Sequence, residues 1–236
     1  MLAKLEVIAL HQADAEAAQE GGADRLEVVG TMEYGGLSPE PRLVSAIHRM
    51  TNLPLRVMLR LSDGFSTTGG ELTRLIGLAE DYLAVGAEGL VFGFLDADLE
   101  VDQEVTSALC EVITGVPWTF HRAIDHALDH RRAWRQVRRL PGLDAVLTAG
   151  SVLGVEAGLD DLTARAAEDP VVASLAMAGG GLAPEHVPWL TRAGIRQFHV
   201  GSGVRPGGSW TKAHVDAGYV RSWRTLIDDA VTHLAG

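Results

Sequence analysis

Three ionisable side chains of different chemistry fall within five residues of this sequence: the imidazole of His121, the guanidinium of Arg122 and the carboxylate of Asp125. They follow residues 118–120, whose types favour a β-strand. An imidazole titrates near neutral pH, which suits a general acid or base, and a guanidinium binds carboxylates, phosphates or a developing oxyanion. We therefore predict that His121 is a general acid/base at a strand end. Arg122 either contacts a ligand or pairs with Asp125, and Asp125 either lines the rim of the site or caps the next helix.

Eight short apolar segments recur along the chain, roughly 20 to 35 residues apart, with helix-like stretches between them. Strands that alternate with helices are parallel, because each helix serves as a crossover. The length of 236 residues is close to that of a (β/α)₈ barrel. We predict an α/β fold, a single TIM-type barrel that forms one domain over residues 1–236, with a doubly wound open sheet as the alternative. The predicted strands are residues 5–10, 26–29, 55–59, 90–95, 118–120, 145–147, 171–177 and 198–200.

Alternation within these strands predicts which side chains face the barrel interior. Neighbouring residues of a strand point to opposite faces, and the large apolar residues belong against the helices. Buried charges are costly unless they are paired or hydrated. The interior set is therefore either a structural network or the wall of a ligand or active site at the C-terminal mouth. It comprises Glu6, Glu27, Arg60, His121 and His199.

Two glycine-rich loops follow the last two predicted strands. In barrels, the loops after strands seven and eight often bind phosphate through backbone N–H groups. We expect such a site here, with Arg205 adding charge; the alternative is that the glycines only permit tight turns. The candidate residues are Gly179, Gly180 and Gly181 in the first loop and Gly201, Ser202 and Gly203 in the second.

Histidine and glutamate side chains also offer candidate metal ligands. His121, His199 and Glu27 have the chemistry to hold a divalent ion such as Zn²⁺ or Mn²⁺. His126 and His130 have helical i, i+4 spacing and are a weaker candidate pair, because they also fit a solvated helix start.

Composition excludes several classes of function. The net charge of −11 argues against a general nucleic-acid or membrane-surface binder, and the single cysteine, Cys110, excludes a disulfide framework. Neither lysine, Lys4 or Lys212, lies inside a predicted core strand, which argues against a Schiff-base enzyme. No signal-peptide pattern opens the chain. We expect a cytoplasmic protein whose partner is a small anionic molecule or a metal ion.

Several motifs occur in the order seen in the CutC family, and the resemblance covers about residues 1–204. The motifs include GGADRLEV at 21–28, GGLSP at 35–39, TFHRAID at 119–125, LTAG at 147–150, MAGGGL at 177–182 and FHVGSG at 198–203. The resemblance implies a single TIM-type barrel, a cytoplasmic location, a homodimer or higher homo-oligomer, and copper homeostasis with copper as the bound metal.

Two functions stay open at this point. Some proteins that resemble this chain carry cysteines at the ends of strands one and two, where this sequence has Ile8, Ala9, Val28 and Val29, and Cu(I) prefers sulfur ligands. The alternative to copper handling is an isomerase, epimerase or lyase that acts on a small anionic or phosphorylated substrate. In it, Glu6 and Glu27 would orient a histidine or hold a metal, and Arg60 and Arg122 would bind a carboxylate or oxyanion. A non-catalytic interaction protein is disfavoured, because a scaffold gains nothing from polar groups inside its barrel.

Overall fold

The computed structural model of this protein describes residues 3–233, which form a closed barrel of eight parallel strands. Each strand pairs with the next along the chain, and β8 pairs with β1, so this sheet has no free edge. This confirms the TIM-type barrel and excludes the open sheet. The ends of the predicted domain, 1–2 and 234–236, lie outside the described residues. The strands are β1 Lys4–Ala9, β2 Arg25–Val28, β3 Leu55–Met58, β4 Gly89–Phe92, β5 Trp118–Phe120, β6 Leu143–Thr148, β7 Ala176–Ala178 and β8 Gln197–Val200.

Nine α-helices surround the barrel within residues 3–233. Their starts follow from capping chemistry: Thr68 accepts the Glu71 N–H at the start of α3, and Asp129 accepts the Arg132 N–H at the start of α5. Asp129, and not Asp125, is therefore the cap of α5. Among residues 3–233, no helix combines the length and apolar character that crossing a bilayer requires. The helices are α1 Gln12–Gly21, α2 Pro41–His48, α3 Gly69–Ala84, α4 Gln103–Val112, α5 His130–Val137, α6 Val155–Glu168, α7 Pro170–Leu175, α8 Val187–Arg192 and α9 Ala217–Thr232.

The seventh predicted strand, residues 171–177, is mostly wrong. Pro170–Leu175 forms helix α7, and the strand is the shorter Ala176–Ala178. The Asp169 side chain accepts the Val171 N–H at 2.9 Å, and Pro170 occupies the first helical turn, where its missing N–H costs nothing. A short apolar run does not by itself distinguish a buried strand from a buried helix. The N-cap and the proline together favour the helix.

The two faces of the barrel wall differ as the alternation predicts. Leu5, Val7, Leu26 and Val28 are fully buried in the main core between the strands and the helices. Each such side chain contributes about 1.5–3 kcal/mol to the stability of the fold. The other face holds two small apolar clusters, one around Met58, and the charged groups described below. The large core thus lies outside the barrel wall, which leaves the interior free for polar side chains.

A buried ion pair joins the start of α1 to the segment before α9. Asp14 accepts hydrogen bonds from Arg205, at 2.8 and 3.1 Å, and from the N–H groups of Leu10 and Val215, both at 2.8 Å. Burial raises the pKa of Asp14, but these donors outweigh it and the net pKa is lowered. Arg205 also donates to the carbonyl of Ile8. The expectation that Arg205 adds charge to the glycine loops is therefore wrong, because its charge is taken up by Asp14.

Replacing Asp14 should unfold the protein far more readily than removing a surface carboxylate. Asp14→Ala leaves the buried Arg205 charge unpaired, which costs about 3–5 kcal/mol. Asp161, half-exposed and paired with Arg165 one helical turn away, is the control. Asp161→Ala should cost about 0.5 kcal/mol or less. Urea unfolding of both variants measures the difference, and equal losses would contradict this account of the ion pair.

Candidate active site

A cavity of about 290 Å³ opens at the C-terminal ends of the strands. This is the end of a barrel where enzymes of this fold place their chemistry. Glu6, Asp125 and Gly179 lie behind its wall, each in contact with a residue of the wall. The predicted residues that line it are Glu27, Arg60, His121, Arg122, Gly180, Gly181, His199, Gly201, Ser202 and Gly203.

Four charged or titratable side chains lie next to one another in a row inside the barrel. Glu6 lies opposite Arg25 of β2 and opposite His199 of β8, and its carboxylate accepts from the Arg25 Nε. The other Glu6 oxygen lies 2.8 Å from His199 Nδ1. His199 Nε2 lies 3.6 Å from Glu27 Oε2. Arg25 was missed as a site residue, although it has the same strand parity as Glu27.

The pKa values of Glu6, Glu27 and His199 in this row are shifted in different directions. Burial raises the pKa of Glu6, but Arg25 and His199 outweigh burial and hold it at about 2. Glu27 has no such cation at hydrogen-bond distance, and burial raises its pKa to about 7. Burial lowers the pKa of His199, yet Glu27 and Glu6 together raise it above the ordinary histidine value. Glu6 therefore stays ionised, Glu27 titrates near neutral pH, and the Glu27 carboxylate favours the protonated form of His199.

His121 has a different environment. Its Nδ1 accepts the Ala123 N–H at 3.2 Å, so the proton of the neutral ring sits on Nε2. Nε2 has no hydrogen-bond partner among residues 3–233. Burial, followed by the nearby Arg60 charge, lowers the pKa of His121 to about 3. At neutral pH His121 is thus an uncharged ring with a free N–H to donate.

The guanidinium of Arg60 is hydrogen-bonded to the loops that frame the cavity. Its Nε donates to the Gly64 carbonyl at 3.0 Å and its Nη1 to the Gly36 carbonyl at 3.2 Å. Its guanidinium carbon lies 4.8 Å from the centre of the Phe65 ring, and Phe65 in turn packs edge-on against His121. Arg60 therefore fixes the loops after β2 and β3.

Arg122 forms the predicted pair with Asp125 and also lies in the cavity wall, and its contact with a ligand stays a prediction. Its Nε donates to Asp125 at 2.9 Å and its Nη2 to the Ser151 carbonyl at 2.9 Å, while the side chain also lines the cavity. Its Nη1 donates to no other residue within 3–233. Asp125 is buried and also accepts from Thr148 Oγ1 and the Ala149 N–H. Asp125 thus holds Arg122 against the end of β6.

The glycine loops form part of the cavity wall and carry backbone donors without a partner among the described residues. Gly180 and Gly181 have φ values of 89° and 78°, which L-residues with a side chain rarely adopt. A Cβ on Gly180 would lie 2.8 Å from the Arg122 guanidinium carbon, so the close approach of loop and guanidinium also requires glycine. Five N–H groups of these loops donate no hydrogen bond to any described residue: those of Gly180, Gly181, Gly201, Ser202 and Gly203.

The predicted metal ligands are not gathered into a metal site. Within residues 3–233, no group of three or more His, Cys, Asp or Glu side chains is arranged to hold a metal ion. His121 would have to bind a metal through Nε2, but Nδ1 already accepts an N–H and Nε2 therefore carries the proton. His130 Nε2 lies 3.1 Å from the Asp125 carbonyl. The His126–His130 pair therefore gains no further ligand.

Cys110 and the methionines of the cavity wall do not fit a copper site either. Cys110 lies in α4, away from the cavity, and burial raises its pKa to about 11, so it stays a neutral thiol. The thioethers of Met32 and Met58 line the cavity, but both side chains pack with the apolar cluster on the inner face of the barrel. Cu(I) sites favour thiolate ligands. This donor set does not supply them.

The folding stability at acid pH should show that His121 is buried and uncharged. Unfolding returns the His121 pKa from about 3 to its ordinary 6.5, so the unfolded chain binds the extra proton between these values. Folding stability should therefore fall as the pH drops below about 6.5, by up to about 1.4 kcal/mol per pH unit. His121→Asn keeps an acceptor for the Ala123 N–H and has no proton to bind. The wild-type advantage over this variant in urea unfolding should shrink from pH 6.5 to pH 4, and parallel pH profiles would contradict a buried neutral ring.

The barrel is similar to several solved structures. The CutC protein of Streptococcus agalactiae, named for copper homeostasis, superposes with a TM-score of 0.75 at 21% identity, covering 85% of this chain and 98% of its own. A thiamine phosphate pyrophosphorylase from Pyrococcus furiosus superposes with a TM-score of 0.58 at 18% identity, covering 99% and 97%. At these identities, both comparisons show a shared fold.

The sequence comparisons are more specific. A CutC family protein of Klebsiella pneumoniae strain 342 is 31% identical over 205 residues, 86% of this chain and 81% of the relative. Its counterpart in Xylella fastidiosa strain Temecula1 is 36% identical over 202 residues, 84% and 74%. The model of the CutC family matches residues 3–204, which include every predicted site residue except Arg205. With the barrel and its site in the same residues, the chain belongs to the CutC family.

Proposed function

We propose that this protein is an enzyme that binds a small anionic substrate, most simply a phosphorylated one, at the barrel mouth. The observation that carries the proposal is the set of unpartnered donors along one side of the cavity. It consists of five backbone N–H groups of the glycine loops and Nη1 of Arg122, among the described residues. Backbone donors beside a guanidinium are a common means of binding phosphate.

The chemistry proposed for this enzyme is proton transfer, the class that covers isomerases, epimerases and lyases. Glu27 lines the cavity and has a pKa of about 7, close to the value at which a carboxylate both accepts and returns a proton at neutral pH. The charge of His199, whose Nε2 lies 3.6 Å from Glu27 Oε2, favours the ionised form of Glu27, and Glu6 orients His199 by accepting its Nδ1–H. His121, first predicted as the acid or base, is better suited to donate a hydrogen bond, because its ring stays neutral.

Copper handling, which the family name implies, finds less support in these residues. The only cysteine is a buried thiol in α4, and the two cavity thioethers belong to an apolar cluster. The divalent-metal site predicted at His121, His199 and Glu27 is likewise weakened by the hydrogen bond to His121 Nδ1. The homo-oligomer and the cytoplasmic location that the family resemblance implies stay predictions.

A pair of glycine variants tests the anion site. Gly181 and Gly115 have nearly equal φ values, 78° and 82°, and at both positions a Cβ would meet no atom within 4 Å. Gly181→Ala and Gly115→Ala should therefore carry similar backbone strain, but only Gly181 lines the mouth cavity. We expect Gly181→Ala to weaken binding of inorganic phosphate and glycerol 3-phosphate about tenfold, because a residue with a side chain is strained at this φ and shifts the loop that carries the donors.

Isothermal titration calorimetry of the two variants and the wild type supplies the measurement. Gly115→Ala should bind both phosphates as the wild type does. Arg122→Ala should also weaken binding about tenfold or more, since a charge-assisted hydrogen bond to phosphate is lost. If the wild type binds neither phosphate, or if Gly181→Ala and Gly115→Ala behave alike, the proposed anion site is wrong.

A further inference from the structure

We infer that the substrate is a phosphorylated carbonyl compound, and that Glu27 removes a proton from the carbon next to the carbonyl while His121 binds the carbonyl oxygen. The inference rests on the proposed anion site and adds the reacting atoms to it. It also changes the role of His121 from acid or base to hydrogen-bond donor. Three features of the cavity, taken in turn, lead to it.

The first feature is the unpartnered donor of His121. The ring lies in the cavity wall, is 3% exposed, and its Nε2–H has no partner among residues 3–233. A buried N–H without a partner destabilises the empty site, so a ligand that supplies an acceptor is favoured. Because the Ala123 N–H holds Nδ1 as an acceptor, Nε2 is fixed as the donor. Neutral imidazole that polarises a carbonyl is a known solution in barrel enzymes.

The second feature is the unpartnered carboxylate oxygen of Glu27. Its Oε2 faces His199, whereas Oε1 is buried and has no hydrogen-bond partner among the described residues. A carboxylate oxygen without a partner, on a residue that lines the cavity, is available as a base that takes a proton from substrate. The raised pKa of Glu27 supports this role, because a more basic carboxylate is a better match for a weakly acidic C–H bond.

The third feature is the apolar part of the cavity wall. Ile8, Met58, Phe65, Leu147 and Trp210 line the cavity together with the polar residues. Its volume of about 290 Å³ is at the small end of ligand cavities, which suits a short carbon chain that carries one phosphate. Exclusion of water by such walls strengthens a hydrogen bond to a developing oxyanion.

The reaction that these groups can perform balances without a further reactant. The Glu27 carboxylate takes the proton, and the electron pair of the broken C–H bond forms a carbon–carbon double bond. The carbonyl π electrons move to oxygen, which becomes an enediolate or enolate oxygen that accepts the His121 Nε2–H. Glu27 then returns the proton to the former carbonyl carbon, while the hydroxyl proton of the neighbouring carbon passes to the enediolate oxygen. The carbonyl group has then moved to the neighbouring carbon, so the overall reaction is an isomerisation that changes no overall oxidation state.

Hydrogen exchange with solvent tests the inference directly. Dihydroxyacetone phosphate and ribulose 5-phosphate are incubated with the protein in D₂O, and loss of the C–H signals is followed by ¹H NMR. We expect protein-dependent exchange in at least one of them. Glu27→Gln should slow it about 100-fold or more, as expected for loss of a general base. His121→Asn should slow it about 100-fold as well, through loss of oxyanion stabilisation.

Two controls separate the chemistry from folding and from anion binding. Glu88→Gln changes an exposed glutamate just before β4, at the opposite end of the barrel, and should leave exchange unchanged. Glycerol 3-phosphate has no carbonyl group, and its affinity for Glu27→Gln should stay within about threefold of the wild-type value. Should Glu27→Gln fail to fold, the His121→Asn variant and phosphoglycolohydroxamate, an enediolate mimic, serve instead. The wild type should bind this mimic at least about 100-fold more tightly than glycerol 3-phosphate.

The outcomes distinguish the two proposals. If glycerol 3-phosphate binds but neither carbonyl phosphate exchanges and the mimic gains no affinity, the inferred substrate class is overturned while the anion site stands. If exchange occurs but Glu27→Gln does not slow it, the assignment of the base is overturned. If no phosphate compound binds at all, both the proposed anion site and this inference are wrong.

Discussion

The contact between Glu6 and Arg25 is the constraint on which the interior of this barrel depends. A carboxylate inside a barrel is costly unless a cation is at hand, and Arg25, on the neighbouring strand, supplies one. Because this pair keeps Glu6 ionised, Glu6 holds His199 by its Nδ1–H. Nε2 of His199 is then left facing Glu27. The position of one ion pair thus decides which carboxylate is fixed and which one titrates.

This arrangement divides the interior side chains into a structural pair and a pair that we propose to react with substrate. Glu6 and Arg25 are almost completely buried and their charges offset each other. Glu27 and His121 line the cavity and each keeps one polar atom without a partner among the described residues. Titratable groups with pKa values driven apart by their surroundings are typical of enzyme sites. The same two kinds of residue, Glu and His, therefore have different roles at different places in the barrel.

The repeating apolar segments were enough to predict the barrel, because strand alternation and helical crossovers allow few other folds. Parity within strands also placed Glu27, His121 and His199 on the interior face, where the structure has them. The pattern could not say which cation lies beside Glu6, because Arg25 becomes its neighbour only through the register of β1 and β2.

Other features depend on contacts that no spacing encodes. Arg205 follows the second glycine loop closely in sequence, yet its charge is bound by Asp14, nearly two hundred residues away along the chain. The proton position on His121 depends on a hydrogen bond from Ala123, which forms because the chain turns into a short 3₁₀ helix after β5. Residues 171–175 became helical because of the local cap at Asp169, which outweighed their β-branched composition.

The central claim is that Glu6 holds the Nδ1–H of His199 while Glu27, beside Nε2, favours the protonated ring. ¹⁵N NMR of the His199 imidazole, followed from about pH 5 to about pH 9, measures both nitrogens separately. The account predicts that Nδ1 stays protonated throughout and that Nε2 titrates above the ordinary histidine pKa, coupled to the ionisation of Glu27. A ring that keeps its proton on Nε2 and loses it from Nδ1, or one that shows no step in this range, would contradict it.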